Sequence, residues 1–542
     1  MDRFINRTKN FIFSKQSSMF SSAIILAAMI VLARVFGFLR YRILSGYFVK
    51  EELDIFFASF RIPDLIFEIL ITGALTTSFI PIFIKYQKNK EELNKNLSSI
   101  INLFSLFMLV FISLTVIFIN QIIPLITPGY DAEKMAKIIF YSRLLLVGQL
   151  PFLVVGNFFT GIAQANKNFL LPALAPIIYN VAIIIFTYFF SPIIGLTAPV
   201  AGVIAGAFLF FLIQLPIVNH ANYSFSLIIK KTEALTEFIK MIIPRSLTVI
   251  VAQVDATIDL TLTTLLGSGA YTIFYLAQHL QLLPVSVIGI SFGQASLPYL
   301  SEIFQEKKIE ELKKIVIDSI LNLFFFAFPI AYFFVITRTP LVRLFFGGEK
   351  FDWSATVETA ITLSWFAVSI PAHTIYYFLT RCFYAILDSR TPFTLSLVSI
   401  IINLSLSLLF ILVLKLPVWS LAITFSISIT VNTLLLFYIF HRKIGGLNLA
   451  FLVKETAKMI TATLISSVFC YYLMKFMDQL VFDTSRTINV FFLLATTGLV
   501  YFLLYLFLAW LLDIKEFYLI SKLIVKAKEY QKRIVEIYTS HE

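Results

Sequence analysis

The stretch LSSIINLFSLFMLVFISLTVIFINQI, residues 97–122, contains no charged side chain. A helix of about 20 apolar residues is long enough to cross the hydrocarbon core of a bilayer, which is about 30 Å thick. The apolar residues run continuously and do not alternate with polar ones, as they would in a strand of a membrane barrel. The stretch therefore predicts a transmembrane α-helix.

The rest of the chain repeats this pattern. The 542 residues are 59% hydrophobic and 14% charged, whereas soluble proteins are about 45–50% apolar and about 25% charged. This composition excludes a water-soluble enzyme and predicts an all-α polytopic membrane protein. Polar residues interrupt the second, eighth and tenth apolar runs, where we expect irregular helices. The runs predict fourteen transmembrane helices: 18–40, 54–84, 97–122, 136–162, 170–190, 195–217, 238–264, 271–298, 315–336, 357–385, 393–414, 418–440, 456–477 and 489–512.

A weak internal repeat appears when the chain is aligned with itself. With Pro151 placed on Pro371, Pro172 falls on Pro392. This offset spans six helices, so both copies have the same orientation, as in transporters whose substrate binds between two lobes. The predicted domains are an N-lobe at 18–217, a C-lobe at 235–440, two further helices at 456–512 and a basic amphipathic tail at 513–542.

Lysine and arginine are distributed unequally between the predicted loops. With the N-terminus inside, the inner segments hold 27 of these residues and the outer segments hold 10. Basic residues concentrate in cytoplasmic loops, and an even number of helices returns the chain to the side where it began. We therefore expect a multi-pass membrane protein with both termini in the cytoplasm.

Several ionisable side chains lie inside the predicted helices, where each costs about 2.5–3.5 kcal/mol at mid-bilayer and must face protein or water. These side chains are Arg34, Arg40, Asp54, Arg61, Asp64, Glu68, Asp255, Asp259 and His279. Arg61, Asp64 and Glu68 share one helical face, because they are spaced at i, i+3 and i+7. Arginines suit a diphosphate, since a guanidinium stays charged and donates paired hydrogen bonds to phosphate oxygens.

Asp255 and Asp259 also share a face, and no basic residue lies within one turn of either. This pattern favours a site for a cation or a proton. Other interpretations of the intramembrane charges stay open. Arginines near helix ends can extend to the interface, Arg61 and Asp64 can form a structural ion pair, and His279 can be a hydrogen-bonded core residue.

The sequence contains no motif for catalysis. It has no G-x-S-x-G motif, no glycine-rich phosphate loop and no soluble domain large enough for an ATPase. Cys382, Cys470 and the five histidines lack the spacing of metal ligands. We expect no enzyme activity and no cofactor, and any transport would be driven by a gradient, such as that of protons or the membrane potential, or by downstream consumption of the substrate. We interpret the net charge of +12 as the charge of cytoplasmic loops that face anionic membrane lipids, and not as a sign of nucleic-acid binding.

Six segments resemble motifs of the MurJ/MviN family of lipid II flippases. They are LARVFGFLR at 32–40, DIFFASFRIPDL at 54–65, GALTTSFIP at 73–81, PALAPIIYN at 172–180, YLAQHLQLLP at 275–284 and FYAILDSRTP at 383–392. The resemblance covers about residues 18–440. It implies the fold of the multidrug/oligosaccharidyl-lipid/polysaccharide exporter superfamily, with two six-helix lobes around a central cavity and two helices that form a lipid-facing groove.

The resemblance also implies a function in the bacterial inner membrane. A member of this family moves the undecaprenyl-diphosphate-linked peptidoglycan precursor, lipid II, from the inner to the outer leaflet by alternating access. The expected substrate is therefore a polyprenyl-diphosphate-linked glycolipid, and cell-wall synthesis proteins are expected partners. The implied roles are diphosphate binding by Arg34, Arg40, Arg61 and His279, acids of the cavity or gate at Asp54, Asp64 and Glu68, and cation coupling, with sodium as a candidate, by Asp259 and Asp255.

The sequence departs from the family pattern at several charged positions. Tyr41, Phe67 and Thr72 stand where the family has charged residues, and Gln278 with His279 replaces an Asp-Arg pair. A neutral imidazole binds a diphosphate less well than a guanidinium does. These departures leave the identity of the headgroup open.

Two other functions stay open at this point. The first is a cation-coupled exporter of drugs, or of another polysaccharide lipid, in the same superfamily; Asp255 and Asp259 favour it, and the arginines of the first two helices oppose it. The second is a membrane scaffold for cell-wall assembly that transports nothing. Retention of Arg34, Arg40 and Arg61 argues against the scaffold, because these charges would then have no ligand.

Overall fold

Polar caps and proline divide the apolar runs into helices. The structure is a computed structural model that describes residues 19–72, 79–166, 168, 170–220 and 223–518. These residues contain no β-strand. Their helices in the first half of the chain are α1 (Met19–Tyr47), α2 (Lys50–Ser59), α3 (Arg61–Phe67), α4 (Ile80–Tyr86), α5 (Lys90–Ile126), α6 (Ala132–Gly148), α7 (Leu150–Ala165), α8 (Leu170–Ile194), α9 (Thr197–Leu212), α10 (Leu215–His220) and α11 (Glu233–Thr264).

The second half of the chain continues in the same way. Its helices are α12 (Ala270–Pro284), α13 (Ser291–Gln305), α14 (Ile309–Ile336), α15 (Arg338–Phe346), α16 (Trp353–Val368), α17 (Ile370–Ala385), α18 (Arg390–Leu408), α19 (Trp419–Lys443), α20 (Leu449–Leu480) and α21 (Thr487–Leu511). Three π-helical turns extend α3, α12 and α18: Glu68–Thr72, Val285–Ile290 and Leu409–Val413.

Side-chain caps fix where several helices begin. At the start of α5, the side-chain carbonyl of Asn89 accepts a hydrogen bond from the backbone N–H of Glu92. At the start of α6, the carboxylate of Asp131 accepts one from the backbone N–H of Lys134 at 2.7 Å. The hydroxyl of Thr232 accepts in the same way at the start of α11, and the side chain of Asn448 does so at the start of α20. Each cap satisfies one backbone donor that the first turn of a helix leaves without a partner.

The predicted fold class is confirmed for the residues that the structure describes. Helix covers most of the described residues in each of the fourteen apolar runs. Ten helical segments in this part of the chain are long and apolar enough to cross a membrane. The number of fourteen transmembrane helices stays a prediction.

The predicted irregularities are confirmed, and others were missed. The second run is divided into α2, α3, a π-turn and α4, the eighth contains the π-turn Val285–Ile290, and the tenth breaks at Ser369. The fourth run also breaks, at Gln149, which the sequence analysis did not predict. At both breaks a proline follows two residues later, where its missing N–H does no harm to the new helix.

Tertiary contacts divide the chain into two compact units. The first runs to Thr272 and includes Phe345–Ala355, and the second comprises Ile273–Leu344 and the residues from Thr356 onward. In the first unit α1 and α9 both pack against α8. In the second, the hydroxyls of Tyr501 and Tyr505 on α21 donate to backbone carbonyls of α14 at 3.0 and 2.9 Å.

These units do not follow the predicted lobes, because α11 lies within the first unit. The predicted domain boundaries stay a prediction. The sequence offset that places Pro151 on Pro371 also relates the helix boundaries. Shifted by this offset, α7 begins and ends at the same positions as α17, and α8 begins at the same position as α18. From residue 519 onward, the predicted amphipathic tail lies outside the residues that the structure describes.

Candidate functional site

Arg61 is held by neutral polar groups of α11. It is the first residue of α3, directly after the break at Phe60. Its Nε donates to Oγ1 of Thr257 at 3.1 Å, and one terminal nitrogen donates to the backbone carbonyl of Gln253 at 3.0 Å and to the side-chain oxygen of the same residue. These acceptors fix the plane of the guanidinium without neutralising its charge.

A set of charges surrounds Arg61 within the first unit. Asp64 lies one turn further along α3 and is within electrostatic range of Arg61, Arg40 and Glu68. Its side chain is exposed, and that of Glu68 is half-buried. The structure thus brings together four of the predicted site residues. The helical spacing predicts the grouping of Arg61, Asp64 and Glu68, whereas Arg40 comes from α1.

The two arginines of α1 differ in their surroundings. Arg40 is half-buried, and its guanidinium lies 4.6 Å from the centre of the Tyr41 ring. Arg34 is exposed on the surface of the first unit. Tyr41, which stands where the family pattern has an acid, is buried, and its ring packs against Phe57 and Phe346.

Asp54 is completely buried and anchors a turn of the first unit. Its carboxylate forms an ion pair of 3.1 Å with Lys134 of α6 and accepts from the backbone N–H groups of Gly269 and Thr272 and from the Thr272 hydroxyl. Lys134 also lies 4.2 Å from the centre of the Tyr130 ring. The carboxylate therefore joins α2, α6 and the start of α12, and its role as an acid of the cavity or gate stays a prediction.

Asp255 and Asp259 lie on α11, the helix that holds Arg61. Asp259 is buried and Asp255 is half-buried. A buried carboxylate gains from a nearby positive charge, so the donor chemistry fits a small cation. In the described part of the chain, no three His, Cys, Asp or Glu side chains converge on a point. The assignment of a cation to these two aspartates stays a prediction.

His279 belongs to the second unit. Its Nδ1 lies 2.8 Å from the backbone carbonyl of Tyr275, and its ring lies 4.0 Å from the ring of that residue. A carbonyl only accepts, so Nδ1 carries a proton. The predicted contact of His279 with a diphosphate stays a prediction.

Several residues of this site were missed by the sequence analysis. Gln253 and Thr257 hold Arg61, and Lys134, counted only as an outer-loop charge, pairs with Asp54. One signal was available: Gln253, Thr257 and Thr261 follow one another at intervals of one helical turn on an apolar helix. Such a stripe marks a face in contact with polar groups.

Comparison with known proteins matches residues 45–514 to the family model described as lipid II flippase MurJ. A probable lipid II flippase MurJ from Rickettsia prowazekii is 30% identical over 71% of this chain and 77% of its own length. The lipid II flippase MurJ of Burkholderia cenocepacia is 24% identical over 71% of this chain and 77% of its own length.

Solved structures agree with these relatives. A lipid II flippase MurJ in an inward closed conformation covers 90% of this chain and 98% of its own, with a TM-score of 0.75 and 25% identity. An inward-facing multidrug transporter of the MATE family covers 78% of this chain and 98% of its own at a TM-score of 0.64, but with 14% identity, so it shares the fold alone. The family match extends over most of the chain, and the chain belongs to the MurJ family of lipid II flippases.

Proposed function

We propose that this protein moves lipid II from the inner to the outer leaflet of the bacterial plasma membrane by alternating access. The family match over residues 45–514 carries this proposal. The proposal also agrees with the charges of the first unit, since Arg40 and Arg61 are cations suited to a diphosphate. The polyprenyl tail stays in the lipid while the headgroup and its diphosphate cross.

In this proposal the arginines of the first unit bind the diphosphate. Arg61 is held by uncharged acceptors, which position its positive charge for a ligand without cancelling it. Asp64 and Glu68 lie beside it and compete for that charge when the diphosphate is absent. This competition keeps the bound state weak enough for release. Arg34 and His279 are proposed as further contacts of the diphosphate.

We also propose that Asp255 and Asp259 couple transport to a cation, with sodium as the first candidate. Both lie within two turns of the residues that hold Arg61, so a cation there would act on the same helix that positions the guanidinium. The protein would have both termini in the cytoplasm, and cell-wall synthesis proteins would be its partners.

Complementation tests the proposed substrate. The gene is expressed in a bacterium whose own lipid II flippase can be depleted, and outer-leaflet lipid II is measured together with growth. We expect rescue by the wild-type protein and none by Arg61→Ala at equal membrane abundance. Arg442→Ala, which removes an exposed arginine at the end of α19, is the matched control and should rescue fully.

The outcomes separate the alternatives. Equal rescue by Arg61→Ala would overturn the role of that residue in binding the diphosphate. Absence of rescue by the wild-type protein, with normal abundance, would overturn the assignment to lipid II in that host, and other polyprenyl-diphosphate sugars would then be tested in the same assay.

A further inference from the structure

An extended segment of the first unit is attached lengthwise to one end of α5. This segment, residues 223–232, is called the strap. The backbone N–H groups of Ser224 and Ser226 donate to Asn94 and Ser98 of α5 at 3.0 and 3.1 Å. The side-chain amide of Asn102 donates to two carbonyls of the strap at 2.7 and 3.0 Å.

These contacts fix the level of Ser224, Ser226 and Ile228 along α5. Ser224 lies beside Asn94, and the middle of the strap lies beside Asn102, two turns further along the helix. A rise of about 1.5 Å per residue makes this distance about 12 Å. Asn102 lies five residues after the start of the predicted membrane-spanning run 97–122, and the backbone N–H of Lys230 donates to the hydroxyl of Ser99, one turn earlier, at 3.2 Å. The strap therefore runs from the polar end of the helix to the first turns of its membrane-spanning part.

The side chains at that edge are apolar and point away from the protein. Phe225, Leu227 and Ile229 alternate along the strap and are 53%, 89% and 51% exposed. Leu227 is the most exposed large apolar side chain in the described part of the chain. Alternation follows from the extended backbone, since polar groups of α5 bind one edge of the strap. Exposed apolar residues in a row mark an interaction surface.

Lysines surround this apolar row. Lys230 and Lys231 continue the strap, and Lys95 lies on the adjacent turn of α5; all three are exposed. Of the neighbouring acids, Glu237 already pairs with Lys85 at 2.9 Å. Apolar side chains flanked by lysines at the level where a helix enters the bilayer match the boundary between anionic headgroups and acyl chains. A water-soluble protein would not match this depth.

We propose that the strap inserts Phe225, Leu227 and Ile229 among the lipids of the leaflet at this end of α5, and that Lys230 and Lys231 bind anionic headgroups there. The surface selects anionic phospholipid over neutral lipid. Under the proposed orientation this is the inner leaflet, and the strap anchors the connection between α10 and α11. The proposal concerns lipid contact and does not depend on which substrate is transported.

Site-specific fluorescence in nanodiscs tests the proposal with the full-length protein. Leu227→Cys and Ser224→Cys are each labelled with an environment-sensitive dye; the native Cys382 and Cys470 are buried, and the wild-type protein gives the labelling background. Ser224 is the matched control, because it is exposed on the same segment but lies at the polar end. The discs contain either phosphatidylcholine alone or phosphatidylcholine with phosphatidylglycerol.

We expect the dye at position 227 to be quenched by lipids that carry a shallow spin label and to be about fivefold less accessible to aqueous iodide than the dye at 224, since such side chains sit below the headgroups. Phosphatidylglycerol should strengthen the protection, and Lys230→Gln with Lys231→Gln should remove that dependence. Equal iodide quenching at 227 and 224 in both lipids would overturn the proposal. Protection in native membranes but not in discs would also overturn it and would assign the surface to a protein.

Discussion

Asp54 and Arg61 are two turns apart in sequence, and their side chains bind different elements for different reasons. Asp54 is completely buried and binds a lysine and three hydrogen-bond donors, so its charge is balanced by partners within the fold. Arg61 donates to neutral acceptors of α11, and the nearby Asp64 competes with a ligand for its charge. At the scale of single residues, the surrounding partners and not the residue type separate a structural charge from a functional one.

Substitution of Gln253 tests whether its contact positions Arg61. Gln253→Ala removes one acceptor from the guanidinium, and a hydrogen bond to a charged group contributes about 1.5–3 kcal/mol. We expect lipid II translocation to fall about tenfold or more at unchanged abundance, because a free-energy difference of about 1.4 kcal/mol is a factor of ten. Val254→Ala, on an exposed side chain of the same helix, is the control. Normal transport by Gln253→Ala would contradict the positioning role.

Substitution of Asp54 tests the buried ion pair. Asp54→Asn leaves the ammonium of Lys134 buried without a counter-charge, and loss of one partner of a buried pair costs about 3–5 kcal/mol. We expect a clear drop in the melting temperature of the detergent-solubilised protein. The double variant Asp54→Asn with Lys134→Met should melt higher than Asp54→Asn alone, because it removes the unpaired charge. Additive losses would show that the ion pair does not couple the two residues.

At the scale of elements, short polar connections hold the ends of the long helices in place. Thr261 of α11 donates to the carbonyl of Ile126, the last residue of α5, at 3.0 Å. Asp388, before α18, pairs with Lys443 at the end of α19 and accepts from the backbone and side chain of Thr391. Each connection lies next to a turn, where backbone groups need partners from side chains.

The Asp388–Lys443 pair predicts a specific dependence on pH. Burial raises the pKa of Asp388, but hydrogen bonds from Lys443 and Thr391 outweigh it and lower the pKa to about 2. Because the folded pKa lies below the ordinary value, the stabilisation is complete above that value and is lost as the pH falls towards 2. The lysine is well exposed, so the pair contributes only about 1 kcal/mol or less.

We therefore expect Asp388→Asn to lower the melting temperature slightly and equally across pH 5–8, with the difference shrinking in strong acid. Asp483→Asn, at a fully exposed loop carboxylate, is the control and should shift the melting temperature less. A difference between wild type and Asp388→Asn that changes between pH 5 and 8 would contradict the low pKa.

Gly129 tests the close approach of two elements. A Cβ at this position would lie 2.0 Å from the carbonyl oxygen of Thr264, which is backbone and cannot move aside. Gly129→Ala should therefore separate the loop after α5 from the end of α11 and reduce the yield of folded protein, measured by fluorescence-detected size-exclusion chromatography. At Gly37 the space around a Cβ is open, so Gly37→Ala should be tolerated. Equal yields of the two variants would contradict this account.

At the scale of the whole molecule, the distribution of basic residues predicts the orientation. Alkaline phosphatase fused after Lys350, in an exposed segment of a predicted outer loop, should be active because it requires export. Green fluorescent protein fused to the C-terminus should fluoresce, since it folds in the cytoplasm. The opposite pair of results would reverse the orientation, and with it the leaflet assigned to the strap.

The sequence by itself determined the fold class, the irregularity of the second, eighth and tenth runs, and the proximity of Arg61, Asp64 and Glu68. Apolar run length and helical spacing are local properties, and both survive folding because a helix satisfies its own backbone within the membrane. Family motifs such as DIFFASFRIPDL carried the functional expectation, and the family match confirmed it at the level of the family.

Tertiary structure alone decided which charged side chains are balanced by partners within the fold. Asp54 pairs with a lysine on a different helix, and the acceptors of Arg61 lie on α11, in the second quarter of the chain. The extended strap was also beyond sequence analysis, because its shape depends on hydrogen bonds to α5 and not on its own residues. Long-range partners of buried polar groups depend on how the helices pack, and no local pattern in a single sequence encodes that arrangement.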